Sequence, residues 1–209
     1  TSLFPVVCKN FSRRYGPPPG KGAAVIGMGK LGSKEMSATS DLDLIVVYDA
    51  EGAESSDGEK SLPITTYFAR LTQALLSALT VQTSEGALYQ VDMRLRPSGN
   101  QGPVATSINA FKEYQMNSAW TWEHLALSRA RVVAGRLDLE SDVREVMRAA
   151  VCMPHDRGKV ITDVQEMRAK LRETKGGATD NPWEIKSGSG RLMDIELLLQ
   201  TGALLYSIV

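Results

Sequence analysis

Two short apolar runs, Ala23–Ile26 and Leu42–Tyr48, are joined by a glycine- and polar-rich stretch that cannot hold a packing helix. Each run reads as a buried strand bounded by turn residues. A parallel crossover between them needs on the order of a dozen residues, usually a helix. Past Gly32 the link offers only Ser33–Ser40 (SKEMSATS), eight residues with one sizeable apolar side chain. Such a segment has no face to bury against a sheet. The two strands are therefore expected to be antiparallel neighbours joined by a short helix-like turn. Gly27-Met-Gly29-Lys-Leu-Gly32 matches G-x-G-x-x-G after a strand, and Asp49 stands near the place of an acidic ribose ligand. That fingerprint belongs to a parallel unit with its own crossover helix, so the missing helix excludes it. The Walker pattern fails too, because Gly32 is followed by Ser-Lys instead of Lys-Ser or Lys-Thr.

The rest of the chain divides in character near residue 105. Residues 1–22 read as a short amphipathic start and a linker, Tyr15-Gly-Pro-Pro-Pro-Gly20, that neither helix nor strand tolerates. Residues 50–62 form a solvated loop. Tyr67, Phe68, Leu71, Leu75 and Leu79 recur at helical spacing within Ile64–Leu79. Leu88–Leu95 alternates as a third strand, ended by Arg96-Pro-Ser-Gly99. Beyond it the periods are helical. Ser107 is placed to cap a helix holding Phe111 and Tyr114, and Trp120–Val133 continues helically. Stripes follow at Leu139, Val143, Val146 and Ala150, then at Val160, Val164, Met167 and Leu171, stopped by Gly176-Gly177. Leu192, Ile195 and Leu199 open a last one. The expectation is a small α/β unit over residues 1–105 and a helical subdomain over 106–209. The sequence stops inside the apolar run Leu197–Val209, as expected of a piece of a longer chain.

Charge and composition exclude several classes. Lys plus Arg number 24 and Asp plus Glu also 24, which argues against a large electrostatic footprint for nucleic acid while leaving room for a local patch. No run approaches the ~18 apolar residues of a membrane span. Two cysteines, Cys8 and Cys152, make no disulfide framework and suit a reducing compartment, so a cytoplasmic location is expected.

The candidate chemistry lies in the carboxylates. Side chains alternate along a strand, so Asp41 and Asp43 point one way while Leu42 and Leu44 point into the core. Asp92 stands mid-strand in Leu88–Leu95, where aspartate is disfavoured and a bare buried carboxylate is costly. From a neighbouring strand it would converge on the first two. Three carboxylates form a hard oxygen pocket that suits Mg²⁺ held together with substrate phosphates. Gly32 and Ser33 are candidates for a phosphate cradle built from backbone N–H groups and a hydroxyl. Lys30, Lys34 and Ser40 are weaker candidates. Arg94 and Arg96 share a face with Asp92; they would neutralise phosphate or hold the carboxylates, or form a structural ion pair. The reading is nucleotidyl transfer by two metal ions. Trp120 and Trp122 are expected as core or interface anchors and His124 as a hydrogen-bonded structural group, with His155 exposed in its loop.

These residues resemble the DNA polymerase β-like nucleotidyltransferases, in which a Gly-Gly or Gly-Ser turn precedes Asp-x-Asp. More narrowly, six stretches are similar in order to the glutamine synthetase adenylyltransferase family. They are Gly29-Lys-Leu-Gly-Ser-Lys-Glu35, Ser40-Asp-Leu-Asp-Leu44, Val91-Asp-Met-Arg-Leu-Arg-Pro-Ser-Gly99, Ala119-Trp-Thr-Trp-Glu-His124, Arg129-Ala-Arg-Val-Val133, and Ile185-Lys186 with Asp194-Ile-Glu196. The resemblance implies an α+β fold: a polymerase β-like domain with a small mixed or antiparallel sheet, followed by a helical subdomain. It implies transfer of AMP from ATP, with two Mg²⁺ ions, to a tyrosine of glutamine synthetase, in the adenylylating half of a two-halved enzyme. The alternatives are the deadenylylating half and another nucleotidyltransferase. Glutamine synthetase is the implied partner, with the PII signalling protein a second. Catalytic and metal-holding roles fall on Asp41, Asp43 and Asp92; nucleotide and phosphate contacts fall on Gly32, Ser33, Ser40, Lys30, Arg94 and Arg96. Lys186, Asp194 and Glu196 either approach the site or make a helix-start ion pair. Asp194 and Glu196 lie about 200° apart on a helix, so they cannot share a ligand.

Overall fold

A computed structural model describes residues 2–37, 39–84, 86–87, 89–175, 183 and 185–206. In chain order the elements are α1 (Leu3–Tyr15), β1 (Gly22–Gly27), α2 (Gly29–Ser33), β2 (Leu42–Asp49), α3 (Ile64–Thr80), β3 (Gln82–Thr83), β4 (Gly86–Ala87), β5 (Val91–Asp92), β6 (Thr106–Ser107), α4 (Ile108–Asn117), α5 (Thr121–Leu127), β7 (Arg131–Ala134), α6 (Leu137–Cys152), α7 (Arg157–Lys175) and α8 (Leu192–Tyr206). Among the described residues no helix is long and apolar enough to cross a membrane. Cys8 and Cys152 are free thiols.

The chain divides into two compact units, residues 1–118 with 130–146, and residues 119–129 with 147–209. This division differs from the composition break at residue 105, because α4 and β7 stay with the first unit.

The first unit is built on a small mixed sheet in the order β5-β2-β1-β7, with β6 also paired to β2. As the short link requires, β1 and β2 are antiparallel, in register from Gly22↔Asp49 to Gly27↔Leu44. The link between them holds only the five-residue α2. All six residues of β1 are buried, because it runs between two partner strands. β5 and β6 both pair parallel to β2, one at Leu42–Asp43 and the other at Val47–Tyr48.

α1 and α3 cover one face. The stripe expected for α3 is the one observed: Tyr67, Phe68, Leu71 and Leu75 are buried and Leu79 packs partly buried beside them. Tyr48 stacks on Phe68 with ring centroids 4.2 Å apart, and Phe11 meets Tyr67 edge-on at 5.1 Å. The Tyr67 hydroxyl donates to Gly16 O at 2.9 Å, so the buried phenol has a partner. Ser107 caps α4, its Oγ accepting from Ala110 N.

Three expectations about individual elements change. Leu88–Leu95 forms a strand only at Val91–Asp92, and Leu88 lies outside the described residues. The Asp92 side chain accepts from Arg94 N at 2.8 Å, and a side chain that bonds its own backbone two residues on ends the ladder. Trp120–Val133 is not one helix: α5 stops at Leu127 and Arg131–Ala134 is a strand. Antiparallel pairing to β1, with a bulge at Val25–Ile26, outweighs helical continuation for a stretch whose middle two residues, Val132 and Val133, are β-branched. On α8, Leu192, Ile195 and Leu199 are exposed, and Leu197 and Leu204 are the buried residues. The α6 stripe of Leu139, Val143, Val146 and Ala150 is buried as expected. Gly176-Gly177, expected to stop α7, lies outside the described residues.

In the second unit α5, α7 and α8 pack on one another. Asp194, in the first turn of α8, accepts from both Arg168 nitrogens facing it and from Gly190 N at 2.7 Å. These bonds, the Arg168 pair first, hold its carboxyl far below the ordinary range. Glu196 pairs instead with Arg129 at 3.0 Å, as their angular separation requires. His124 is buried beside His155, ring centroids 5.2 Å apart. His155 is half-buried instead of exposed, its Nε2 lying 3.2 Å from Val151 O. Trp120 and Trp122 are exposed, so neither is core; both line a hollow of about 310 Å³ on this unit.

Candidate active site

The candidate site is the end of β2 where β5 begins. Leu42 and Leu44 are in the core, which turns Asp41 and Asp43 to the opposite face of the strand. Asp41 immediately precedes β2 and is exposed; Asp43 is half-buried. Leu42 N donates to Gln90 O at 2.8 Å. That bond and the two-residue parallel ladder set Asp92 directly abreast of Asp43. Residues some fifty positions apart in the sequence thus meet side by side.

α2 forms the floor next to them. Met28 N donates to Asp43 O at 2.9 Å, tying the helix start to β2. Gly29 follows with φ +50°, and a Cβ placed there would stand 2.7 Å from Asp43 Oδ2. Only glycine leaves that carboxylate its place. Gly32 is buried, and its N–H donates to Met28 O at 3.0 Å. Ser33 Oγ lies 3.1 Å from Gly29 O and 2.6 Å from Glu35 Oε2. In this arrangement both groups serve the α2 turn. Ser40 bonds Ser37, its Oγ accepting from Ser37 N at 3.1 Å. Lys30 and Lys34 are exposed.

The two arginines have separate tasks. Arg96 donates to Met93 O at 2.8 Å, to Gly102 O at 3.2 Å and to Asn100 O at 3.3 Å, stapling the turn after β5. Arg94 donates from Nε at 2.8 Å and Nη2 at 2.5 Å to Asp92 Oδ2. The Arg94 guanidinium, by hydrogen bond first, lowers the Asp92 carboxyl below the ordinary range. Asp43 and Asp41 also act on Arg94 through their charge and help to hold it protonated. Asp41, Asp92, Arg94 and Arg96 line a hollow of about 590 Å³ whose apolar wall includes Leu76 and Val104. That volume is in the usual range for small-molecule sites.

Two residues here are not among the site candidates from sequence, although both fall in stretches that carry the family resemblance. Gly29 belongs to the glycine run, yet only the fold brings it against Asp43. Arg131, from β7, donates to Leu31 O at 3.0 Å and Gly32 O at 3.2 Å, closing the C-terminal end of α2 from about a hundred residues away. Exposed helix-end carbonyls favour such cations.

Among the described residues no three His, Cys, Asp or Glu side chains sit close enough to cage a metal ion. Asp43 and Asp92 are abreast, and Asp92 is turned to Arg94. The donor set nonetheless fits a hard divalent cation. All donors are carboxylate oxygens, and Gly29 keeps open the space beside Asp43 Oδ2 that a Cβ would fill.

Residues 4–146 match the family model described as glutamate-ammonia ligase adenylyltransferase. The match ends at the residue where the first unit ends. Three curated relatives are each called a bifunctional glutamine synthetase adenylyltransferase/adenylyl-removing enzyme. The relative from Agrobacterium fabrum is 48% identical over 200 residues, 95% of this chain and 20% of that protein. The one from Rhodopseudomonas palustris strain TIE-1 is 47% identical over 196 residues, 93% of this chain and 20% of that protein. The Brucella suis relative is 48% identical over 193 residues, 92% and 19%. The chain spans about a fifth of the length of these relatives. Since the matched stretch carries the β2–β5 carboxylates and the α2 turn, the chain belongs to the glutamate–ammonia ligase adenylyltransferase family.

Proposed function

We propose that this chain is a nucleotidyltransferase domain that moves AMP from ATP to a tyrosine hydroxyl of glutamine synthetase, with Mg²⁺. The observation that carries the reading is the parallel register of Asp43 with Asp92, which together with Asp41 lines a hollow. Asp41, Asp43 and Asp92 would hold the cations. Bound Mg²⁺ would supply charge stabilisation for the attacking and leaving oxygens and lower the pKa of a hydroxyl beside it. In the transfer the phenolic oxygen bonds the α-phosphorus, the bond to the bridging oxygen breaks, and pyrophosphate and a proton leave. The chain's own part is positioning and charge, which is most of what such displacement requires. Asp92, lowered by Arg94, stays ionised and is a weak base; it suits holding a cation more than taking the phenolic proton. Arg94 and exposed Lys30 bring positive charge for the triphosphate. Gly32 and Ser33 support this by shaping the α2 turn, and Ser40 by holding the link to β2 through Ser37.

The names of the relatives carry two activities, so the same site run with phosphate as the attacking group is the second reading. Incubating the chain with labelled ATP and unmodified glutamine synthetase separates the two. Label transfer supports adenylylation; label release from the AMP-bearing enzyme supports removal. In either direction Asp43→Asn should lower turnover by more than the ~10–100-fold that outer-shell changes cost, with an unchanged circular dichroism spectrum. Turnover near wild type would sink the assignment. PII, implied by the family resemblance, would act as a regulator of the whole enzyme.

A further inference from the structure

Each Asp92 oxygen is held differently. Oδ1 accepts from the backbone N–H of Arg94 at 2.8 Å, a bond that is part of the turn. Among the described residues Oδ2 accepts only from the Arg94 side chain, at 2.8 and 2.5 Å. The two anchors therefore have different permanence. The backbone of the turn is fixed by the three Arg96 bonds to carbonyl oxygens. The Arg94 side chain is 74% exposed and, among the described residues, hydrogen-bonds only to Asp92. It can rotate away while Oδ1 stays tied, leaving Asp92 oriented with one open oxygen beside Asp43.

We propose that Arg94 is a charge latch: it pairs with Asp92 Oδ2, yields that oxygen to a divalent cation, and then pairs with the phosphates of the incoming nucleotide. The inference rests on the cation-site reading above. Asp43 stands abreast of Asp92, and the Arg94 guanidinium pairs with Asp92 and also feels the charge of Asp43 and Asp41. A planar fork suits both partners, since carboxylate and phosphate present the same paired oxygens. The latch makes the two ligands mutually dependent. A cation that takes Oδ2 frees the arginine for phosphate, and phosphate that takes the arginine frees Oδ2 for the cation. Such coupling is reciprocal, typically 5–150-fold.

The test is Mn²⁺ binding, read from the electron spin resonance of free Mn²⁺, on the 209-residue chain with and without a non-hydrolysable ATP analogue. Wild type should bind each ligand at least about 5-fold tighter in the presence of the other. Arg94→Gln should bind Mn²⁺ alone several-fold tighter, bind the analogue more weakly, and lose most of the coupling. Removing a positive charge would by itself favour Mn²⁺, so Arg94→Lys decides. Lysine keeps the charge and lacks the fork; the latch requires that it too binds Mn²⁺ tighter and couples less. Arg94→Lys indistinguishable from wild type overturns the latch. Asp43→Asn separates this from failure of the site itself. If Asp43→Asn binds Mn²⁺ as wild type does, the cation lies elsewhere and both readings fall. If it loses Mn²⁺ while Arg94→Lys behaves as wild type, the latch alone falls.

Discussion

Replacing Gly29 with alanine should damage the site far more than the fold. The backbone there has φ +50°, and a Cβ would stand 2.7 Å from Asp43 Oδ2. A left-handed conformation costs an L-residue about 1–2 kcal/mol. At roughly 2–4 °C per kcal/mol for a chain of this size, the melting temperature should fall by about 2–8 °C. The second effect is local. Carbon and oxygen in contact normally stay at least ~3.3 Å apart, so the carboxylate must retreat by roughly half an ångström or more. Misplacement of a reacting group by ~1 Å can cost about 100-fold, so AMP transfer should drop by roughly 10–100-fold. Gly52→Ala is the control. Its φ is +83° and nothing lies within 4 Å of its Cβ position, so it carries the conformational cost without the clash. It should melt lower by a similar amount and keep its activity. Steady-state AMP transfer and thermal melts on both variants decide. Gly29→Ala within twofold of wild type, or Gly52→Ala equally impaired, would refute the reasoning.

Tyr67→Phe should cost about 1–3 kcal/mol by stranding the Gly16 carbonyl, visible as a lower melting temperature. Burial pushes the Tyr67 hydroxyl from 10.0 up to about 12. The folded state therefore favours the neutral phenol, and that stabilisation is complete below pH ~10 and lost as pH rises toward 12. The wild-type melting curve should steepen its fall in that window, and Tyr67→Phe should remove this component. Asp194→Asn should weaken the Arg168 and Gly190 bonds and speed amide hydrogen exchange in Leu192–Tyr206, with exchange in β1 and β2 unchanged; uniform acceleration in both units would contradict the local role.

The parts legible from sequence are those fixed by short-range arithmetic. The eight residues of SKEMSATS could not hold a crossover, and β1 and β2 are antiparallel for that reason. The α3 stripe and the Ser107 cap were readable because each depends on neighbours within a turn or two. Alternation around Asp41 and Asp43 put Leu42 and Leu44 in the core. The misses are long-range. Arg131–Ala134 is too short to announce a strand, and its identity comes from the open edge of β1. Gly29 matters because β2 returns beside it. The length of β5 was misjudged because an Asp92 side-chain bond ends it, a competition that hydrophobic alternation cannot register. The α8 stripe pointed outward because periodicity gives the width of an apolar face and not what covers it.

The pairing of β7 with β1 has a consequence for how this chain can be divided. The change in composition near residue 105 invites a cut there, and so does a reading of the first half as self-sufficient. A piece ending at that point would lack Arg131–Ala134, leaving Val25–Gly27 of β1 without its partner on that side. Every residue of that strand, Gly-Ala-Ala-Val-Ile-Gly, is small or apolar, with no charge to repel a second copy. An open, uncharged edge is a template for strand addition and aggregation. Four residues from far along the chain thus act as a guard on solubility as well as a brace for the α2 turn. The smallest soluble piece containing the carboxylates should run through the end of the first unit at Val146.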